Sequence, residues 1–174
     1  MKLGVLKEIK AGEKRVAISP SIVEKLVGKG FELLVESTAG ESSMYSNTTY
    51  EAAGARILTK AAVFAEAAVL IKINPFELEE IQAVREGQIL ISQLYHKSNP
   101  ELLQAIADTG ASAFSMDAIP RISRAQDMDV LSSQSNLAGY KAVIVGAYEM
   151  TKIFPLMMTA AGTITPSRVL IYGV

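Results

Sequence analysis

The residues best suited to chemistry cluster between Pro120 and Asn136, in PRISRAQDMDVLSSQSN. Arg121, Ser123, Arg124, Gln126, Asp127, Asp129, Ser132, Ser133, Gln134 and Asn136 place hydrogen-bond donors and acceptors at most positions of the run. Just past an apolar segment, such a run suits recognition of a carboxamide or a phosphate; it equally suits a solvated linker. Arg15, in the polar stretch AGEKR, is a second candidate. Lys72 is a third, because it interrupts the apolar segment VLIKI. Burying an ammonium without a partner is costly, so this lysine is paired, poised at a cleft, or on a sheet edge. His96 follows Tyr95 at the end of another apolar run, where a lone histidine is more often a surface residue than a catalytic one. Met150, Met157 and Met158 read as gap-filling apolar side chains.

Other chemistries are excluded by composition. The 174 residues contain no cysteine, which removes disulfides, thiolate zinc sites and cysteine nucleophiles together. A single histidine leaves no multi-histidine metal centre. Seventeen Lys and Arg against 18 Asp and Glu give a net charge of -1, so no basic excess exists to hold a nucleic-acid backbone. There is no P-loop, complete GxGxxG, HExxH or nucleophile elbow. The opening MKLGVLKEIK turns polar too early for a secretory signal, and Lys141, Glu149, Lys152 and Arg168 break the most apolar region, 137–174. No run of ~20 apolar residues remains to span a bilayer, so a soluble, cytoplasmic chain is expected.

Positioning these residues falls to alternating short apolar runs and helix-period segments. Strands are expected at 3–8, 31–37, 55–59, 69–73, 88–95 and 112–119, with helices between them. Ser19-Pro20 and Asn99-Pro100 read as helix starts and Gly28, Gly54, Gly87 and Gly110 as stops. Each strand–helix pair takes about 25–30 residues and the strands are continuously apolar, which points to an α/β fold: a doubly wound, mostly parallel sheet covered on both faces. The polar run then falls past the carboxyl end of the sixth strand, the edge where open α/β sheets bind ligands. A long helix rich in small residues is expected over roughly 133–152, and VLIYGV (169–174) reads as a further strand running into glycine.

Two stretches carry a family resemblance. KEIKAGEKRVAISPSIVEKLVGKGFELLVESTAG resembles the opening of the alanine dehydrogenase/pyridine-nucleotide transhydrogenase family. MDAIPRISRAQDMDVLSSQSNLAGYKAVIVGAYE, with FPLMMTAAGTITPSRVLIYGV, resembles more specifically the NAD(H)-binding alpha subunits of proton-translocating transhydrogenases. The resemblance spans the whole chain and implies the first of two Rossmann-like subdomains, with 1–132 as the N-terminal α/β subdomain. It implies 133–168 as a long interdomain helix and linker, and 169–174 as the first strand of an NAD-binding subdomain that stops short. It further implies that a loop named for an Arg, a Gln and an Asp reaches the nicotinamide. These match Arg121, Gln126 and Asp129, within a cofactor-contacting stretch of Ile122, Ser123, Arg124, Asp127 and Met128, with Ser132 also at the ring. Hydride would pass directly from NADH to NADP+ on a partner subunit, with membrane subunits moving protons. The subunit itself would be a cytoplasmic homodimer, peripheral to the inner membrane.

Hydride transfer between two nicotinamides needs no general base, only two rings held in attack distance, so a site without catalytic Cys or His is expected. The alanine dehydrogenase branch handles a proton and carries a His after the strand matching QILISQLY. Tyr95 falls at that position here and His96 one place later, and a one-residue shift on a strand turns a side chain to the other face. Arg15 and Lys72 match positions that bind the keto acid in that branch. The alternatives are therefore an alanine-dehydrogenase-like domain, or a non-catalytic oligomerising segment. Because VLIYGV ends before a glycine-rich turn, the 174 residues alone are expected to bind NAD(H) weakly or not at all.

Overall fold

The computed structural model describes residues 1–172. It divides into two units, Met1–Asp129 and the segment from Val130 onward. In the first, β1 (Lys2–Val5), β2 (Glu32–Glu36), β3 (Arg56–Leu58), β4 (Val69–Ile71), β5 (Ile89–Ser92) and β6 (Ser112–Ser115) alternate with five helices. These are α1 (Pro20–Gly28), α2 (Asn47–Ala52), α3 (Lys60–Glu66), α4 (Leu78–Ile81) and α5 (Pro100–Asp108). All six strands pair in parallel, in the order β3-β2-β1-β4-β5-β6. The order reverses between β1 and β4, and the crevice beyond their carboxyl ends is where such sheets take ligands.

Strand alternation sends neighbouring residues to opposite faces, and two cores result. Leu34, Leu70 and Leu90 pack with Val63 and Phe64 of α3, Ile81 of α4, and Leu102 and Ile106 of α5. Leu3, Val5, Leu33 and Val35 pack on the other face with Val23 of α1 and Tyr50 of α2. The sheet is thus doubly wound, as the apolar runs imply. Gly4 permits the close approach of α3: a Cβ there would lie 2.7 Å from Val63 Cγ1 and 2.8 Å from Ala67 Cβ. Tyr50 anchors α2 through its hydroxyl, which donates to the Ile18 carbonyl at 2.7 Å.

Several elements depart from expectation. The strands are shorter than the apolar runs; the run 112–119 yields β6 and then a 3₁₀ turn over Met116–Ala118. Ser19 stands at the N-cap of α1 without capping it, its Oγ lying 3.0 Å from Ser21 Oγ. Ser46 and Thr59 cap α2 and α3 instead, accepting from the amides of Thr49 and Ala62. Most of the polar run is not irregular. Ser123–Met128 forms a 3₁₀ helix, and α6 begins at Val130 rather than Ser133 and extends to Glu149.

In the second unit, α6 is followed by the antiparallel hairpin β7 (Met157–Thr159) and β8 (Gly162–Ile164), which pattern reading missed. Its loop is Ala160-Ala161, without an Asn-Gly or Asp-Gly signal. The turn relies on Gly162 at φ 138° and on Thr159 Oγ1, which accepts from the Ala161 amide. The expected strand at 169–174 is not formed over 169–172, where Val169, Leu170, Ile171 and Tyr172 are exposed; 173–174 lie outside the described residues. Apolar composition alone does not make a strand, because its amides need a neighbouring ladder. Among the described residues, no helix is long and apolar enough to cross a membrane.

Candidate functional site

Segments at the carboxyl edge of the sheet in the first unit carry Arg15, Lys72 and the polar loop. Where the strand order reverses, a cavity of about 730 Å³ opens, lined among others by Glu8, Asn74, Phe76, Tyr95 and Asn99. Glu8, just past β1, accepts from the Ile73 amide and from the Asn74 backbone and side chain, which binds β1 to the end of β4. Asn74 Nδ2 also donates to Glu13 Oε2 at 2.9 Å. Glu13 in turn grips Arg15, accepting from Nε at 2.8 Å and from Nη2 at 2.6 Å. That guanidinium holds the Glu13 carboxyl down at about 2, against the cost of part burial. Arg15 therefore stands at the edge as one arm of a bidentate ion pair.

Lys72 is paired rather than offered to a ligand. Its ammonium is 1% exposed, donates to Glu80 Oε2 at 2.7 Å, and lies 5.4 Å from the centre of the Phe76 ring. The other Glu80 oxygen is 2.6 Å from Lys60 Nζ, an ion pair whose angles fall short of a hydrogen bond. Burial opposes ionisation of Glu80, but Lys60, Lys72 and the Glu77 amide outweigh it and keep the carboxyl below its ordinary range. This cluster fixes α4 beside the cavity; among the cleft candidates, only Arg15 is substantially exposed.

Beyond β5 and β6 the chain builds the polar loop. Asp117 Oδ1 accepts from the amides of Leu94 and Tyr95 and from Ser115 Oγ. Burial raises its carboxyl, and the bonds from Ser115, Tyr95 and Leu94 more than reverse this and lower it. His96 Nδ1 is 4.0 Å from Asp117 Oδ2 and is half-exposed. Past Pro120, the loop closes on itself through Ile122 N to Pro120 O, Ala125 N to Ile122 O and Asp129 N to Gln126 O. Ala125 is buried, whereas Arg121, Ser123, Arg124, Gln126 and Asp127 are exposed, as are the large apolar Ile122 and Met128. The structure thus brings Arg121, Gln126 and Asp129 onto one short 3₁₀ loop, while Ser132 lies in α6 of the second unit. A run of this length in 3₁₀ form is uncommon and often marks functional segments.

Sequence reading missed Glu8, Glu13, Asn74, Glu80 and Asp117. Asn74, with Pro75 just past the apolar run 69–73, signals by its type no more than a strand end, and Asp117 lies inside an apolar run that reads as continuous strand. Among the described residues no group of His, Cys, Asp and Glu could hold a metal ion.

This arrangement is that of a Rossmann-like α/β domain, with a parallel sheet, a cavity at the reversal of strand order and a polar loop beyond the last strand. The profile for the N-terminal domain of alanine dehydrogenase/PNT proteins matches residues 4–138, and the chain belongs to that family. It is 48% identical to an NAD(P) transhydrogenase subunit alpha chain of Rhodospirillum rubrum, over all of this chain and 47% of that one. It is 35% identical to the alanine dehydrogenase of Bacillus subtilis, over 87% of this chain and 39% of that one. A crystal structure of transhydrogenase from Sinorhizobium meliloti superposes with a TM-score of 0.90 at 44% identity, covering 95% of this chain and 50% of that one. The chain thus spans about half or less of the length of these relatives.

Proposed function

We propose that this chain is the N-terminal portion of the NAD(H)-binding subunit of an NAD(P) transhydrogenase. The observation that carries the reading is the polar loop Arg121–Asp129, built around the 3₁₀ helix Ser123–Met128 past the carboxyl end of β6. Higher identity to transhydrogenase alpha subunits than to alanine dehydrogenases supports it. So does the pairing of Arg15 and Lys72, candidates for a keto-acid carboxylate, with Glu13 and Glu80; by the family resemblance Tyr95 would fall where the alanine dehydrogenase branch carries a histidine.

The donor set fits a nicotinamide. Carboxylate and amide groups on the loop match a carboxamide, which offers two N–H donors and one acceptor oxygen. Bound NAD(H) supplies the hydride carrier. Asp129 would accept from the carboxamide, Gln126 would donate to its oxygen or bridge to a partner, and Arg121 would meet negative charge at the interface. Ser132 would assist at the ring. The exposed faces of Ile122 and Met128 would keep water from the ring, since excluded water strengthens such bonds. The residues' work is orientation, which in two-ring transfer can account for most of the rate gain. NADP(H) would sit on a separate subunit, membrane subunits would couple hydride transfer to proton movement, and this subunit would be a cytoplasmic homodimer held peripherally to the inner membrane.

The test is NADH-dependent reduction of NADP+ by the complete enzyme carrying this chain. Arg121→Ala and Asp129→Ala are each expected to lower kcat on the order of 100-fold with little change in melting temperature. Unchanged rates in both, or Lys72-dependent reductive amination of pyruvate, would overturn the reading.

A further inference from the structure

Tyr95 has φ 48°, in the left-handed region where a bulky side chain is a genuine outlier. The turn that imposes it is held on both sides. The Leu94 carbonyl accepts from Asn99 Nδ2 at 2.8 Å, and the Tyr95 carbonyl accepts from the Ser98 amide at 2.8 Å. The Leu94 and Tyr95 amides both point at one group, Asp117 Oδ1, at 2.8 and 3.3 Å. Ser115 Oγ, at 2.6 Å, fixes the rotamer of that carboxylate.

Asp117 also has a place in the chain that gives this clamp a second effect. It sits in the 3₁₀ turn Met116–Ala118, immediately before the polar loop. β6, which leads into that turn, is an edge strand paired with β5 alone. The backbone bonds within the loop, from Pro120 to Asp129, are local and hold its shape. Its root is tied to the segment just past β5 by the Asp117 carboxylate.

We propose that Asp117 is a positioning residue: by binding the Leu94 and Tyr95 amides it locks the root of the Arg121–Asp129 loop to the end of β5 and so aims the loop at the cofactor. The proposal rests on the nicotinamide-facing role of that loop. It assigns a function to a residue that meets neither cofactor nor reacting atoms, and it makes the strained Tyr95 turn a component of the same device.

Two measurements test it together: amide hydrogen exchange of the 174-residue chain, and steady-state hydride transfer by the complete enzyme. In Asp117→Ala, exchange over 120–129 is expected to quicken about tenfold or more while β1 and β4 keep their protection. In the same variant kcat should fall on the order of 10- to 100-fold with the KM for NADP+ nearly unchanged, since misaimed groups lose rate before partner binding. Asp117→Asn, which keeps an acceptor oxygen, should recover most of both; if the alanine form does not fold, Asp117→Leu, similar in size but without an acceptor, is the test variant and is expected to lose both. Wild-type loop exchange and kcat in the variant that lacks the acceptor, with Arg121→Ala still impaired, overturns the positioning role alone. Unimpaired Arg121→Ala and Asp129→Ala enzymes overturn the reading of the loop, and this proposal with it.

Discussion

Lys72 and Glu13 show how single side chains settle a question that spacing leaves open. A lysine in an apolar strand has three explanations, and the structure selects pairing, with Glu80 8 residues further along the chain. Removing Lys72 leaves the buried Glu80 carboxylate short of one of its two ammonium partners. Lys72→Met is therefore expected to cost about 3 kcal/mol in urea denaturation, and Lys72→Met/Glu80→Leu is expected to recover much of that loss. Glu13 titrates in the folded chain near 2, below its ordinary 4.5. Its contribution is thus fully present above about pH 4.5 and fades as the pH falls toward 2, so Glu13→Gln should flatten the acid side of the stability profile measured by denaturation between pH 7 and pH 3. Ser92 presents the opposite case. Its hydroxyl is buried on β5 without a hydrogen-bond partner, so Ser92→Ala should be neutral or stabilising by about 1 kcal/mol in the same assay.

At the scale of elements, Gly4 is a tight constraint on the packing of α3 against the sheet. A methyl group there meets Val63 and Ala67 of α3 below 3 Å, so Gly4→Ala should destabilise the chain by about 1–3 kcal/mol, read as a lower melting temperature. The six strands of the sheet and their alternation with helices were legible from continuous apolar runs and from Gly and Pro punctuation. Their ends were not, because a strand stops where its neighbour's ladder stops, and the residues of 116–119 are as apolar as those before them apart from Asp117. The β7–β8 hairpin was illegible for a related reason: a Thr hydroxyl and a left-handed-side glycine do the work that a turn dipeptide usually announces. In the polar loop, sequence identified the members of the cluster. That they form a 3₁₀ segment rooted by Asp117 depends on bonds to β5, residues separated from it by more than 20 positions.

For the whole molecule, the two units differ in character. The first has two cores around one sheet, whereas α6 of the second exposes Leu137, Tyr140, Val143 and Tyr148. An isolated helix with apolar residues around much of its circumference is normally covered. The relatives are about twice as long or more, in keeping with the proposed two-subdomain subunit. The strand order itself has a temporal consequence. β1 is made before the other strands of its sheet, yet one of its two neighbours is β4, whose pairing residues Val69–Ile71 are made about 66 positions later. Early in synthesis β1 can rest only against β2, with its other edge bare and available to the wrong partner. Distant parallel pairings close slowly, so nascent chains arrested short of Ile71 should lean on chaperones more than those that have reached Asp129, where both cores are complete.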